Sequence, residues 1–242
     1  MNVLLTGATS GIGFETLKEL IVGNHTIYAV GRDFTKIQSF TKKHKDLIKE
    51  FVFDLSNIDE IENLFKTFNL KDQKLDALIH CAGMEETVPL RMFNPSKVKT
   101  IYDINVFSGI ELLRYFTKKK YSKDGASVVF LSSVMGVLGQ SGKIGYCSTK
   151  AAIIGMVKAS ALEFSKRKIR VNAVLPGIVN TPMTEKLFSQ LSEENVNQII
   201  EMHPLGIGEV ADVTPMILFL ISNKSRWITG QNFIIDGGYS IK

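Results

Sequence analysis

The stretch "GYCSTKA" (145–151) sets a tyrosine and a lysine four residues apart, as Tyr146 and Lys150. On a helix that spacing puts both side chains on one face. A phenol of ordinary pKa about 10 is a poor proton carrier near neutrality, and an ammonium one turn away favours its ionised form. Giving a proton to a carbonyl oxygen, or taking one from an alcohol, is the chemistry such a pair can do. A solvated helix face explains the spacing equally well, so the rest of the chain must decide.

A second chemical feature lies near the start. The apolar run "NVLLT" (2–6) leads into "TGATSGIG" (6–13), with Gly7, Gly11 and Gly13 spaced GxxxGxG. Glycines allow a tight turn and close backbone approach, and a following helix offers free N–H groups to a pyrophosphate. The next apolar run ends in "AVGRDF", with Gly31 and then Arg32 where an acid that binds an adenosine ribose would be expected. A guanidinium there can clamp a 2′-phosphate, which favours NADP(H) over NAD(H). Asp33 reads as a cap for the next helix, and a solvated Arg32 is the alternative.

These features need elements to hold them. The runs "NVLLT" (2–6), "TIYAV" (26–30), "IKEFVF" (48–53), "LDALIH" (75–80), "ASVVFLS" (126–132), "IRVNAVL" (169–175) and "NFIID" (232–236) alternate with helical patterns. Continuous apolar strands separated by helices predict a doubly wound parallel sheet of seven strands, with helices on both faces and right-handed crossovers. No linker or repeat divides the chain, so residues 1–242 form one domain. The polar segment 181–208 interrupts the alternation with two short amphipathic patterns. It is expected to be a substrate loop, either a mobile lid or a static pair of helices.

Composition narrows the partners. With 45% hydrophobic and 22% charged residues, the 242-residue chain can bury a large core. No apolar run reaches the roughly 20 residues needed to span a bilayer, and the N-terminus lacks a secretory pattern. The expectation is a soluble, cytoplasmic protein without membrane contact. Cys81 and Cys147 form no CxxC pair and read as small buried hydrophobes, and the histidines at 25, 44, 80 and 203 lack metal-ligand spacing. No metal is therefore expected. A net charge of +5 favours anionic partners, but its clusters "TKKHK" and "TKKKYSK" read as solvated helix ends, so nucleic acid is not expected.

Taken together the motifs resemble the short-chain dehydrogenase/reductase family over nearly the whole chain. "TGATSGIG" is similar to its TGxxxGIG loop, Asp54 in "FDLS" to its adenine-binding aspartate, and "HCAG" (80–83) to its NNAG segment. Asn105 in "INVFSG", with Ser133, Tyr146 and Lys150 in "SSVMGVLGQSGKIGYCSTK", fits the family's catalytic tetrad. "PGIVNTPM" (176–183) and "WITGQNFIIDGG" (227–238) fit its segment beside the nicotinamide and its last strand.

The resemblance implies a single-domain Rossmann fold and interconversion of a carbonyl and a secondary alcohol by hydride transfer. Tyr146 would exchange the proton, Lys150 would tune it and hold the nicotinamide ribose, Ser133 would bind the carbonyl oxygen, and Asn105 would order a water. Cofactor contacts would come from Gly7, Thr9, Ser10, Gly11, Ile12 and Gly13, from Arg32, and from Asp54 and Leu55. Cys81, Ala82 and Gly83, and Pro176, Gly177, Val179 and Thr181, would complete them. A helix-capping role is the alternative for Thr181.

The likeness is greatest to reductases of 3-oxoacyl-[acyl-carrier-protein], which would make the substrate carrier-bound, with Arg167 approximating a carrier-docking residue. A small, sugar or steroid ketone, or its alcohol, is the alternative substrate. A non-catalytic dinucleotide-binding regulator is another class; it would be expected to have lost Ser133, Tyr146 or Lys150, and all three are present. The resemblance also implies a homotetramer or homodimer packed through helices at 103–120 and 146–167. His80 departs from NNAG and reads as a satisfied core histidine.

Overall fold

The computed structural model describes residues 1–70 and 73–241. Strands β1 (Asn2–Thr6), β2 (Thr26–Gly31), β3 (Ile48–Val52), β4 (Leu75–His80), β5 (Ser122–Leu131), β6 (Arg170–Pro176) and β7 (Asn232–Ile235) form one parallel sheet in the order β3-β2-β1-β4-β5-β6-β7. The order reverses between β1 and β4, and ligands of doubly wound sheets bind at such a switch point, beyond the strands' C-terminal ends. The helices are α1 (Gly11–Val22), α2 (Gln38–Lys43), α3 (Ile61–Thr67), α4 (Pro95–Tyr102), α5 (Ser108–Phe116), α6 (Ile144–Glu163), α7 (Pro182–Phe188), α8 (Glu193–Glu201) and α9 (Val210–Ile221).

Alternation along the strands divides the core. Val3, Leu5, Ala29, Ile79 and Val174 face one side, with Leu17, Leu20, Val213 and Ile217 of α1 and α9. Leu4, Tyr28, Leu78, Phe130 and Val171 face the other, with Leu64, Phe116, Ile153 and Val157 of α3, α5 and α6. Both faces are covered, which is why the central strands carry unbroken apolar runs. At the edge, β3 exposes Lys49, Glu50 and Val52, charges that blunt an open strand.

The seven strands fall where the apolar runs lie, with one correction. β5 starts at Ser122 rather than at residue 126, and its pairing with β4 shifts between Leu75 and Ala77. Gly125, at φ +80°, lets the strand absorb that irregularity. A helix over 103–120 is also not continuous: Asp103–Phe107 is a π turn, followed by α5. The helix expected over 146–167 begins earlier, at Ile144, and ends at Glu163.

Candidate active site

The glycine turn after β1 is closed by backbone on two sides. Gly7 has φ +68°, and a Cβ there would sit 2.7 Å from the Ala82 nitrogen, while a Cβ on Gly13 would overlap the Gly7 carbonyl. The Ser10 side chain makes no capping bond at the head of α1, and the first turn holds no acid. Its leading N–H groups and dipole therefore face the turn unanswered, a cradle suited to a pyrophosphate. Gly11 brings the same turn against Thr181, whose methyl would lie 3.2 Å from an added Cβ. Ile12, Thr9 and Ala82 line this region half-buried.

At the end of β2, Arg32 is exposed and makes no hydrogen bond or ion pair among the described residues. Both Asp33 oxygens are taken by Thr35, from its backbone N–H at 2.8 Å and its hydroxyl at 2.9 Å. Asp33 is thus engaged by Thr35 at the start of the following turn, whose cap position is Phe34. The Ser56 N–H donates to Asp54 at 2.9 Å and, with the nearby Arg32 charge, holds that carboxyl below its ordinary range. Leu55 beside it is buried.

The four tetrad positions converge beyond the ends of β4 and β5. Asn105 sits in the π turn and is buried, with its amide fully engaged. It accepts from the Met84 N–H at 2.8 Å and donates to the Met84 carbonyl at 2.9 Å and to Thr149 Oγ1 at 3.1 Å. Single π turns inside helices recur at functional sites, because the extra residue redirects side chains. Ser133 caps the turn after β5 and is buried, accepting from the Met135 N–H at 3.1 Å. Ser132 donates to the Lys150 carbonyl at 2.8 Å and ties β5 to α6.

Tyr146 is half-buried and Lys150 buried on one face of α6, with Lys150 Nζ 5.6 Å from the phenol ring centroid. Lys150 donates to the Leu131 carbonyl at 2.9 Å. Gly83 leaves the space above it open, since a Cβ there would approach Lys150 Nζ and Asn105 Oδ1 to 3.4 Å each.

The expectation that the ammonium, together with a bound oxidised nicotinamide, draws the Tyr146 phenol down concerns the complex. In the chain alone, burial pushes that phenol up to about 12, partly opposed by the Ser133 hydroxyl, and burial lowers Lys150 to about 8. Removal from water disfavours both charged forms, and spacing on a helix does not report it. His80 is not fully satisfied. Its Nδ1 meets Thr6 Oγ1 at 2.8 Å, but its buried Nε2 has no hydrogen-bond partner among the described residues, and burial holds the ring neutral with a pKa of about 3.

The third wall is the 176–208 region. Gly177 N–H donates to the Ile235 carbonyl at 3.0 Å, and a Cβ there would come within 2.9 Å of Asp236 Cα, so β6 leaves Pro176 hard against β7. Val179 is buried and bridges Gly208. Thr181 caps α7, accepting from the Thr184 N–H at 3.3 Å, so its capping role is present. Cys81 and Cys147 are both free and half-buried rather than fully enclosed. Burial raises the Cys81 thiol to about 12, which leaves it an inert neighbour of Lys150.

A family model described as "Enoyl-(Acyl carrier protein) reductase" matches residues 7–240. The chain belongs to the short-chain dehydrogenase/reductase family. Short-chain dehydrogenases/reductases are oxidoreductases that use a nicotinamide dinucleotide, and the cradle, Arg32, Asp54 and the open space at Gly83 fit such a cofactor. The 3-oxoacyl-[acyl-carrier-protein] reductase FabG of Rickettsia prowazekii (strain Madrid E) is 35% identical, over 97% of this chain and 95% of its own. The FabG of Thermotoga maritima (strain ATCC 43589 / DSM 3109 / JCM 10099 / NBRC 100826 / MSB8) is 32% identical, over 98% and 97%. Among solved structures, a 4-hydroxyisoleucine dehydrogenase mutant complexed with NADH and succinate superposes with TM-score 0.91 at 31% identity, over 100% of this chain and 99% of that one. ElxO with NADP bound gives 0.87 at 27%, with the same coverage.

Residues that sequence reasoning missed are those engaged only through folding. Thr149 fixes Asn105, and Thr6 reaches His80 and the Ala82 N–H, the latter at 3.4 Å. Lys143 and Glu85, considered below, also escaped. Only Lys143, one helical turn before Tyr146, carried a spacing signal.

Proposed function

We propose that this short-chain dehydrogenase/reductase is a cytoplasmic, NADP(H)-dependent reductase of 3-oxoacyl groups borne on an acyl carrier. The observation that carries the reaction type is the convergence of Asn105, Ser133, Tyr146 and Lys150 at one pocket beyond the sheet. The full-length similarity to FabG relatives supports the substrate class. When bound, the reduced nicotinamide supplies a hydride. Ser133 hydrogen-bonds the carbonyl oxygen and stabilises its growing charge, while Tyr146 hands that oxygen a proton. Lys150 favours the resulting phenolate and holds the nicotinamide ribose, and Asn105, locked to Met84 and Thr149, keeps the proton route to solvent aligned. Gly7, Ser10, Gly11 and Gly13 cradle the pyrophosphate, Asp54 the adenine, and Thr181 the carboxamide.

Arg32 supports the choice of NADP(H), because a free guanidinium answers a 2′-phosphate while Asp33 is already engaged. Arg167 does not support carrier docking. Its guanidinium is spent on Asp124, at 2.7 Å, on the Thr117 carbonyl and on Ser122. A second reading, a dehydrogenase of a small hydroxy acid using NAD(H), is favoured by the likeness to 4-hydroxyisoleucine dehydrogenase. One experiment separates them: kcat/KM for NADPH and NADH with acetoacetyl thioester, small keto acids, sugar ketones and steroid ketones, in the wild type and Arg32→Ala. Loss of a charged hydrogen bond worth about 1.5–3 kcal/mol should raise KM for NADPH roughly 10–150-fold and leave NADH nearly unchanged. A wild type that prefers NADH overturns the NADP(H) reading. The reciprocal change Gly31→Asp is not a clean probe, since a Cβ there would meet the Thr9 methyl at 2.6 Å.

A further inference from the structure

One more pair of charges stands beside Tyr146, and the four tetrad residues do not account for it. Lys143 immediately precedes α6, and its Nζ lies 3.0 Å from Glu85 Oε1 and 5.8 Å from the Tyr146 ring centroid. The two side chains are only 7% and 12% exposed, the most enclosed ion pair among the described residues. By contrast, Lys66–Glu62 is 56% and 47% exposed. Taking two charges out of water is costly unless close pairing and further hydrogen bonds repay it.

The surroundings hold the pair in place. Thr87 Oγ1 donates to Glu85 Oε1 at 2.6 Å, and Val88 N–H donates to the Gly142 carbonyl at 2.7 Å. Gly142 adopts φ +78°, which a side chain would strain, and Gly145 leaves room that the Phe93 ring occupies. The segment after β4 is thereby strapped to the loop before α6, with the ion pair at the seam.

We propose that Lys143 and Glu85 are positioning residues for proton transfer: opposite charges, fixed beside Tyr146, that balance one another at its phenol. This rests on the reading of Tyr146 as the proton carrier. The carboxylate opposes the phenolate and the ammonium favours it, so the intact pair leaves the phenol to Lys150 and the bound cofactor. The other groups facing Tyr146 are Lys150 and Cys147 on its own helix and the Ser133 hydroxyl from the turn after β5. Cys81 and His80, at the end of β4, lie behind Lys150. None of these is a permanent anion, which leaves Glu85 as the negative charge opposing ionisation.

The test is ultraviolet titration of tyrosinate in the full chain with saturating oxidised dinucleotide, read as the difference from the same background carrying Tyr146→Phe. The backgrounds are wild type, Glu85→Gln, Lys143→Met and the double variant. A unit charge about 6 Å away, at an effective dielectric of about 20, moves a titration midpoint by about two pH units. Lys143→Met should therefore raise the Tyr146 midpoint by up to about two pH units, Glu85→Gln should lower it, and the double variant should return near wild type. If Lys143→Met fails to fold with Glu85 left uncompensated, Glu85→Gln and the double variant still decide the matter. Both single variants moving the midpoint the same way, no movement in Glu85→Gln, or a double variant matching Glu85→Gln would overturn the proposal. The alkaline limb of kcat/KM for acetoacetyl thioester reduction should follow the same order. An absorbance series that behaves as stated without turnover would indict the substrate reading and leave the pair's role standing.

Discussion

Burial opposes both charges of the catalytic pair, since the buried Lys150 loses its proton more readily and the phenol of Tyr146 holds its own more firmly than in water. On the proposed mechanism, the phenol is thus kept as a donor until a carbonyl oxygen takes its proton. Tyr146→Phe should retain fold and dinucleotide binding and lose turnover by at least about 100-fold, the lower range of general acid–base effects, in steady-state assay with acetoacetyl thioester. Unchanged turnover in a folded variant would refute the role. His80 carries a separate, structural prediction. Its pKa falls from 6.5 to about 3 on folding, so the unfolded chain binds a proton that the native ring refuses. Stability from this group is present above pH 6.5 and drains away as pH falls toward 3. Urea unfolding at pH 7 and pH 5 should show wild type losing about 2 kcal/mol more than His80→Asn over that interval. Equal losses would mean that the ring is not held neutral.

At the scale of elements, the segment over 181–208 is fastened at both ends. Thr181 packs on Gly11, the Leu205 N–H donates to the Gly237 carbonyl at 3.0 Å, and the His203 ring stacks on Tyr239 with centroids 4.6 Å apart. Between those anchors, α7 and α8 bury no residue completely. Helices held by their ends and by few buried side chains are drawn from the low-stability end of a fold. Our reading is that they close over the dinucleotide and its substrate. Saturating NADPH should then slow tryptic cleavage after the exposed Lys186 several-fold, followed by mass spectrometry of the fragments. Cleavage at the same rate with and without NADPH would identify a static pair of helices.

For the molecule as a whole, apolar side chains remain uncovered on and beside the helices expected to pair with symmetry mates. Phe107 and Ile110 of the π turn and α5, and Ile144 and Leu162 of α6, are all exposed. A groove lined by Leu90, Val137, Ile144, Cys147 and Ala151, together with Gln140, Ser141 and Ser148, borders the start of α6. Contiguous apolar surface of this kind marks association. Light scattering at micromolar concentration should give the mass of a homotetramer or homodimer, and a monomer would contradict the expected assembly. No helix among the described residues is long and apolar enough to cross a membrane.

The strand positions, the glycine turn, and the Tyr146–Lys150 and Ser133 spacings were legible in the chain, because local sterics and hydrophobic period are written residue by residue. The local engagement of Asp33 was legible for the same reason: its partner, Thr35, lies two residues away. Folding alone decided the long-range matters. The strand extension to Ser122 depends on pairing with β4, the π turn at Asn105 on Met84 and Thr149, and the fate of Arg167 on Asp124 and Ser122. The upward shift of Tyr146, the orphaned nitrogen of His80 and the enclosed Lys143–Glu85 pair share one cause. Each depends on how much water the surrounding elements remove, and desolvation is a property of packed volume that no spacing of residues encodes.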